Sequence, residues 1–287
     1  TRVGSSAASD VYKRQVLGLG GAGVSSGQGH IPPASAEGAV APSESSWTLV
    51  WADDFDADGL PDPEKWAYDV GGHGWGNEEL QHYTEKRLEN ARVEDGHLII
   101  EARREPWEGR DYTSARLVTR GRAAWKYGRI EVRAKLPRGV GTWPAIWMLP
   151  QGFVFGEGAW PDDGEIDIME HVGYDEGVVH GTVHCKKYYS GLKNQKGAQI
   201  QVPDATTAFH DYALQWYPDR IEVLMDDTLY FTYPDEGTGP DAWPFDKPFY
   251  LILNIAVGGY WGGSQGVDPD VYPQRLEVDY VRVYEAR

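Results

Sequence analysis

Three acidic residues within six positions have the types and spacing to perform acid–base chemistry. Glu165, Asp167 and Glu170 lie in the stretch "GEIDIMEH", with apolar residues between them. Side chains two positions apart share one face of a β-strand, so Glu165 and Asp167 point to the same side. Glu170 would then point into the core, where an unpaired carboxylate costs several kcal/mol. A β-bulge near Ile168 and Met169 would return Glu170 to the face of the other two acids.

Paired carboxylates beside aromatic residues are typical of enzymes that cleave glycosidic bonds with retention of configuration. That reaction uses two carboxyl groups about 5–5.5 Å apart, one attacking the anomeric carbon and the other protonating the leaving oxygen. Crowded acids raise one another's pKa, which helps to keep the proton donor protonated. Indole rings can stack on sugars, and three precede the acids closely: Trp143, Trp147 and Trp160. A solvated acidic face is the alternative, but Asp and Glu are poor strand residues unless something uses them.

The strand pattern of the chain predicts the framework that would position these acids. In "YGRIEVRAKL" (127–136), apolar and charged residues alternate, as in a half-buried strand. Similar patterns recur at 97–104, 180–185, 211–217, 220–226, 228–233, 249–257 and 275–284. Turn signals separate several of these stretches, and helical periodicity is almost absent. We therefore predict an all-β fold, one antiparallel β-sandwich of jelly-roll type spanning residues 47–287.

Charge and composition disfavour several classes of partner. The 287-residue chain has a formal net charge of −17, which repels nucleic-acid backbones and anionic membranes. No apolar run approaches the roughly eighteen residues that a membrane helix needs. The one cysteine, Cys185, excludes an intrachain disulfide and a cysteine-based zinc site. Twelve Trp and seventeen Tyr residues suggest that some aromatic side chains line a surface, since a buried indole N–H needs a partner.

Residues 1–46 have the composition of a linker rather than of a folded domain. The segment is rich in small residues, Pro, Gly and Ser, so we predict that it is disordered. Its apolar stretch "VLGLGGAG" is compatible with the end of a secretory signal. Residues 1–15 fit neither interpretation, and we interpret them as a remnant of cloning or sequencing.

Four short motifs match known chemistry but lack its structural context. "GLGGAG" (18–23) has the glycine spacing of a dinucleotide site without a following helix. "GGSQG" (262–266) matches a nucleophile elbow, but Pro269 and Pro273 forbid the required helix. His180 and His184 have the spacing of zinc ligands on a helix, yet their neighbours favour a strand, which leaves zinc a minor alternative. "DDGEID" lacks the loop glycine and terminal glutamate of an EF-hand.

The stretch around the three acids resembles the E-x-D-x-x-E signature of glycoside hydrolase family 16. Its six-residue, bulged form is similar to that of laminarinases rather than to the shorter form of bacterial lichenases. Further stretches look like laminarinase segments in the expected order: "LVWADDFD" (49–56), "GWGNEELQHYT" (74–84), "YGRIEVRAKLPRGVGTWPAIWMLP" (127–150), "HGTVH" (180–184), "NIAVGG" (254–259) and "VDYVRVY" (278–284). The resemblance implies a β-jelly-roll with a substrate cleft on its concave sheet.

The resemblance also implies roles for individual residues. Glu165 would be the nucleophile, Asp167 the assisting acid and Glu170 the acid/base. Other matching residues would stack on sugar rings, hydrogen-bond sugar hydroxyls or lie beside the acids: Trp143, Trp147, Trp261, Asn77, Arg116 and His184. For Arg116 the alternative is a solvated strand residue, and for His184 an ordinary structural histidine.

A structural calcium ion is a further implication of the resemblance. Three residues fall at the matching places: Asp54, Gly96 and Asp279. Asp54 departs from the pattern, because relatives commonly have glutamate there. Catalysis itself requires no cofactor, since the two carboxyl groups carry out the whole reaction.

Together these observations predict a secreted, monomeric endo-β-1,3-glucanase that acts on β-glucan polysaccharides and oligosaccharides. The strong acidity favours a neutral glucan over sulfated galactans, whose sulfates call for basic residues. Mixed-linkage β-1,3-1,4-glucanase activity, another family 16 hydrolase or transglycosylase activity, and a non-catalytic glucan-binding module are the alternatives. A binding module need not keep all three acids, so the intact set favours an enzyme.

Overall fold

Strands make up nearly all of the regular structure, as the alternating sequence pattern predicts. The computed structural model describes residues 47–153 and 160–287, so the predicted linker at 1–46 lies outside the described residues. The strands are β1 Trp47–Asp53, β2 Ala67–Tyr68, β3 Gln81–Tyr83, β4 Ala91–Glu94, β5 His97–Trp107, β6 Arg110–Ser114, β7 Arg116–Val118, β8 Gly128–Lys135, β9 Thr142–Pro150, β10 Glu165–Glu170, β11 Val178–His184, β12 Lys196–Gln201, β13 His210–Trp216, β14 Arg220–Met225, β15 Thr228–Pro234, β16 Phe249–Val257 and β17 Gln274–Ala286. A short 3-10 helix, Ser190–Leu192, is the one helical element in these ranges, and no described helix is long and apolar enough to cross a membrane.

The strands form two sheets, which we call the back sheet and the cleft sheet. The back sheet has the order β15-β14-β13-β8-β17-β5-β6-β3, with β1 also paired to β17 and β4 to β5. The cleft sheet has the order β12-β11-β10-β9-β16-β7-β2. The strand pairs are antiparallel except for β3 and β6, which run parallel. The predicted β-sandwich is therefore confirmed, with one parallel pair that the sequence pattern did not indicate.

The main core fills the space between the two sheets, and the strand alternation explains how. On β8, Ile130 and Val132 are fully buried, while Glu131 between them is partly exposed on the opposite face. Strand β16 is buried along its whole length. Leu251 faces the main core, whereas Tyr250 and Ile252 belong to a smaller apolar cluster on the opposite face of the cleft sheet. That smaller cluster supports one side of the cleft.

Most predicted strands agree with the observed ones to within a few residues, and β5 shows why the bounds differ. The pattern predicts an end near residue 104, but β5 continues to Trp107, which pairs with Arg110 across a turn at Glu108 and Gly109. Both turn residues have positive φ, 48° and 79°. Pro106 conceals this extension in the sequence, because proline is usually found at the ends or edges of strands.

The three residues of the implied calcium site lie on or next to the back sheet. Asp54 follows β1, Gly96 lies in the turn between β4 and β5, and Asp279 lies within β17. The Arg282 guanidinium donates hydrogen bonds of 2.8 and 3.0 Å to Asp54 Oδ1, and Arg133 Nε lies 3.1 Å from Asp279 Oδ2. Each carboxylate is thus engaged by an arginine, so a calcium ion would depend mainly on backbone oxygens. Calcium binding stays a prediction.

Candidate active site

A break in strand pairing at β10 places its acids. Asp167 pairs with Trp147 of β9, but Met169 pairs with Ile146, so Ile168 is the extra residue between the two pairs. The pairing of β10 with β11 shifts at the same point. One extra residue on one strand is what defines a β-bulge. The bulge predicted from the broken alternation is confirmed.

The bulge divides the side chains of β10 between two faces. The apolar side chains pack into the main core: Ile166, Ile168 and Met169. The acids line a cavity of about 630 Å³ on the opposite face: Glu165, Asp167 and Glu170. Asp167 is only 3% exposed, so the alternative of a solvated acidic face is wrong.

Each glutamate accepts a hydrogen bond from an indole at the wall of the cavity. Trp160 Nε1 donates to Glu165 Oε2 over 2.9 Å, and Trp143 Nε1 donates to Glu170 Oε1 over 3.1 Å. These bonds restrict the rotation of both carboxylates. They also show that Trp160, which the sequence indicated only as a neighbouring aromatic residue, contacts the predicted nucleophile.

His184 lies beside Glu165 and Asp167, as the resemblance implies. Its Nε2 is 3.4 Å from Asp167 Oδ2 and 3.9 Å from Glu165 Oε1. Burial lowers the pKa of His184 to about 4, so its imidazole is neutral at pH 7. Ligand atoms of these three residues lie within 4.8 Å of one another, which is close enough for a metal ion. His180 is four residues away on the same strand, about 13 Å along it, too far for both histidines to bind one zinc.

Burial raises the pKa of all three acids. The pKa of Glu165 is raised to about 8 and that of Glu170 to about 7, chiefly because their carboxyl groups lose contact with water. The pKa of Asp167 is raised well above its usual value by burial and then by the charges of Glu165 and Glu170. Interacting carboxyls titrate as a group, so the cleft retains protons at neutral pH.

All six predicted substrate-binding residues line the same cavity as the acids: Asn77, Arg116, Trp143, Trp147, His184 and Trp261. Trp143 and Trp147 share the cleft face of β9 and are only half-buried. The rings of Trp143 and Trp261 lie edge to face with centroids 5.6 Å apart. These aromatic side chains give the cavity apolar surfaces of the kind on which sugar rings stack.

Arg116 is held between two of the aromatic rings. Its guanidinium carbon lies 4.7 Å from the ring centroids of both Trp75 and Trp147, and its Nε lies 3.3 Å from Asp69 Oδ2. Arg116 is 4% exposed, so the interpretation as a solvated strand residue is wrong. The arginine makes a cation–π contact with each of the two rings.

The sequence analysis missed several residues of the cleft floor, which also line the cavity: Trp75, Glu79, Tyr83 and Asn254. Trp75, Glu79 and Tyr83 belong to the stretch "GWGNEELQHYT", of which only Asn77 was singled out. Asn254 is the one polar residue in the apolar run "FYLILNIAV". A buried amide in such a run needs hydrogen-bond partners, and that was an available signal.

Comparison with known proteins places this arrangement among the glycosidases. Residues 78–282 match the model of glycosyl hydrolases family 16. A beta-glucanase of Rhodothermus marinus is 65% identical over 243 residues, which cover 83% of this chain and 85% of that protein.

Solved structures agree with this comparison. The X-ray structure of the laminarinase from Rhodothermus marinus superposes with a TM-score of 0.82 and 62% identity, over 84% of this chain and 98% of that one. A non-specific endo-beta-1,3(4)-glucanase of the same family has a TM-score of 0.80 and 47% identity, over 85% of this chain and 96% of that one. That structure is of a mutant of the enzyme, co-crystallised with 1,3-beta-D-cellotriosyl-glucose and presenting a 1,3-beta-D-cellobiosyl-glucose at its active site.

Proposed function

This chain belongs to glycosyl hydrolase family 16, and we propose that it is an endo-β-1,3-glucanase that cleaves laminarin-like polysaccharides inside the chain. The observation that carries the proposal is the bulged strand β10, which directs three acids into one cleft beside tryptophan rings. The names of the relatives support it, since they include a beta-glucanase and a laminarinase.

In the proposed reaction, the glucan lies across the cleft between the two glutamates. Glu165 attacks the anomeric carbon, and Glu170 gives its proton to the leaving oxygen as the glycosidic bond breaks. The glucosyl ester on Glu165 is then hydrolysed by a water whose proton passes to Glu170. Two displacements at one carbon leave the β-configuration unchanged, so we propose retention.

Both glutamates have a raised pKa, yet the reaction needs one of them ionised. Burial raises the pKa of Glu165 to about 8 and that of Glu170 to about 7, whereas the reaction needs Glu165 ionised and Glu170 protonated. Asp167 shares the face of Glu165 and has a raised pKa, so it can hold a proton next to the ionised nucleophile. We assign the roles of the two glutamates from their positions in the motif.

The charge of the cavity favours a neutral glucan as the substrate. Five acids lie among the described lining residues: Glu79, Glu165, Asp167, Glu170 and Asp175. The same described lining contains one arginine, Arg116, and one lysine, Lys193. Arg116 is enclosed by aromatic rings, so Lys193 is the one exposed lysine or arginine side chain of this described lining. The sulfates of a galactan would therefore find one exposed cation among the described lining residues to pair with.

Digestion of four polysaccharides tests the proposal. We expect short oligosaccharides from laminarin with an early fall in mean chain length, slower release from lichenan, and none from agarose or carrageenan. Binding of laminarin without release of reducing sugar would instead indicate a binding module. Products longer than the starting chains would indicate a transglycosylase.

We also propose that the protein acts outside the cell as a monomer. A polysaccharide is too large to cross a membrane unaided, so an enzyme that cleaves it internally must meet it outside. The calcium ion implied by the resemblance is proposed as a structural ion only, because the carboxyl groups of the cleft account for the chemistry without a metal.

A further inference from the structure

We propose that Glu79 is a positioning residue whose carboxylate sets the orientation of the Trp147 platform through Tyr83 and Asn254. None of these three supporting residues is needed for the bond-breaking steps described above. The inference rests on the proposed function, because its consequence is measured as binding of β-1,3-glucan.

The orientation of Asn254 is fixed at the Trp147 end. An indole N–H can only donate, and Trp147 Nε1 lies 2.7 Å from Asn254 Oδ1. The amide nitrogen of Asn254 must therefore point away, and it donates to the Tyr83 hydroxyl over 3.1 Å. Since the Tyr83 oxygen accepts this bond, its own proton is directed toward Glu79 Oε2 at 3.4 Å.

A second arm of the network reaches Glu79 from strand β16. The backbone N–H of Val257 donates to Gln81 Oε1 over 2.7 Å, which turns the amide nitrogen of Gln81 toward Glu79. Gln81 Nε2 then donates to Glu79 Oε2 over 2.6 Å. Asn77 Nδ2 donates to the other oxygen, Oε1, over 3.1 Å.

Three donors therefore converge on one buried carboxylate. An ionised glutamate has acceptor sites only and satisfies all of them, whereas glutamine would turn an NH₂ group toward another donor. Glu79 is 5% exposed, so water cannot readily relieve such a conflict. Burial raises the pKa of Glu79, and the three hydrogen bonds and the Arg116 charge oppose that rise.

The network acts on binding and leaves the reacting carboxyl groups untouched. It ties down the indole N–H of Trp147, which fixes the ring face available to a sugar. It also holds the amide of Asn77, which lines the cavity, so that its oxygen remains free to accept from a sugar hydroxyl. Losing Glu79 should therefore weaken substrate binding, with KM raised and kcat retained.

The variant Glu79→Gln tests this inference against a matched control, Glu78→Gln. Glu78 is adjacent and exposed, so its substitution should leave both constants unchanged. For Glu79→Gln we expect KM for a laminari-oligosaccharide to rise about tenfold, the scale of one disrupted charge-assisted hydrogen bond, with kcat within about twofold of wild type. A purely structural role would instead reduce the fraction of active protein, lowering kcat while KM stays constant.

Tyr83→Phe provides a second measurement that leaves the charge of Glu79 in place. If Tyr83 transmits the effect, this variant raises KM as well, and the double variant with Glu79→Gln is no worse than the more affected single variant. Unchanged KM in Glu79→Gln, or additive effects in the double variant, would overturn the inference. Wild type is measured in the same assay, so an inactive wild type would count against the proposed function instead.

Discussion

Replacing Glu165 with alanine is expected to lower kcat on laminarin by at least about 10⁴-fold while leaving oligosaccharide binding within a fewfold of wild type. The variant has no carboxylate to attack the anomeric carbon, so the covalent intermediate cannot form. The walls of the cleft remain, because the aromatic rings belong to β9 and to turns outside β10. Reducing-sugar release measures kcat, and calorimetry with a laminari-oligosaccharide measures binding.

Glu64→Ala is a suitable control, because Glu64 is an exposed acid outside the cavity lining. Folding of the Glu165 variant is checked by its Tm. The pKa of Glu165 is raised to about 8 in the folded protein, so its contribution to stability is present at low pH and lost as pH rises toward 8. The variant should therefore be at least as stable as wild type at pH 8. Near-wild-type activity would exclude Glu165 as the nucleophile.

Replacing Glu170 with alanine should lower kcat/KM on laminarin by about 10²–10⁴-fold, the usual contribution of a general acid/base. A sugar leaving group needs that proton, whereas an aryl leaving group of low pKa does not. An activated aryl β-glucoside should therefore still form the glycosyl-enzyme, and azide should restore turnover because it attacks the intermediate without a general base. The expected product is the β-glycosyl azide, identified by NMR.

The pH profile provides the control for the Glu170 variant. Because the pKa of Glu170 is raised to about 7, wild-type kcat/KM on laminarin should fall as pH rises above about 7 and the proton is lost. The variant on the aryl substrate should lack this alkaline decline. If azide does not restore activity and the decline persists, another group is the acid/base.

Strand β10 could be predicted from the sequence because its signal is local. The alternation of Glu165, Ile166, Asp167 and Ile168 has a period of two, and the break at Met169 can be read directly. The cost of burying a lone carboxylate then requires a bulge, which the structure contains. Trp143 and Trp147 are assigned to the cleft by the family resemblance, and the structure places both on the cleft face of β9.

The floor of the cleft could not be predicted in the same way. The network draws on three separate parts of the chain: the segment of Glu79 and Tyr83, strand β9 with Trp147, and strand β16 with Asn254. These parts meet only when β9 and β16 pair beside the segment around β3. Periodicity describes which face a residue occupies, but it does not show which distant residue faces it. The contacts of Arg116 with the rings of Trp75 and Trp147 could not be predicted for the same reason.

Proton NMR of the first products released from a laminari-oligosaccharide tests most directly whether the two glutamates of β10 act from opposite sides of one sugar. We expect the β-anomer to appear first and the α-anomer to grow only later by mutarotation, because two displacements restore the starting configuration. An initial α-anomer would show a single displacement by water, and it would contradict the nucleophilic role of Glu165.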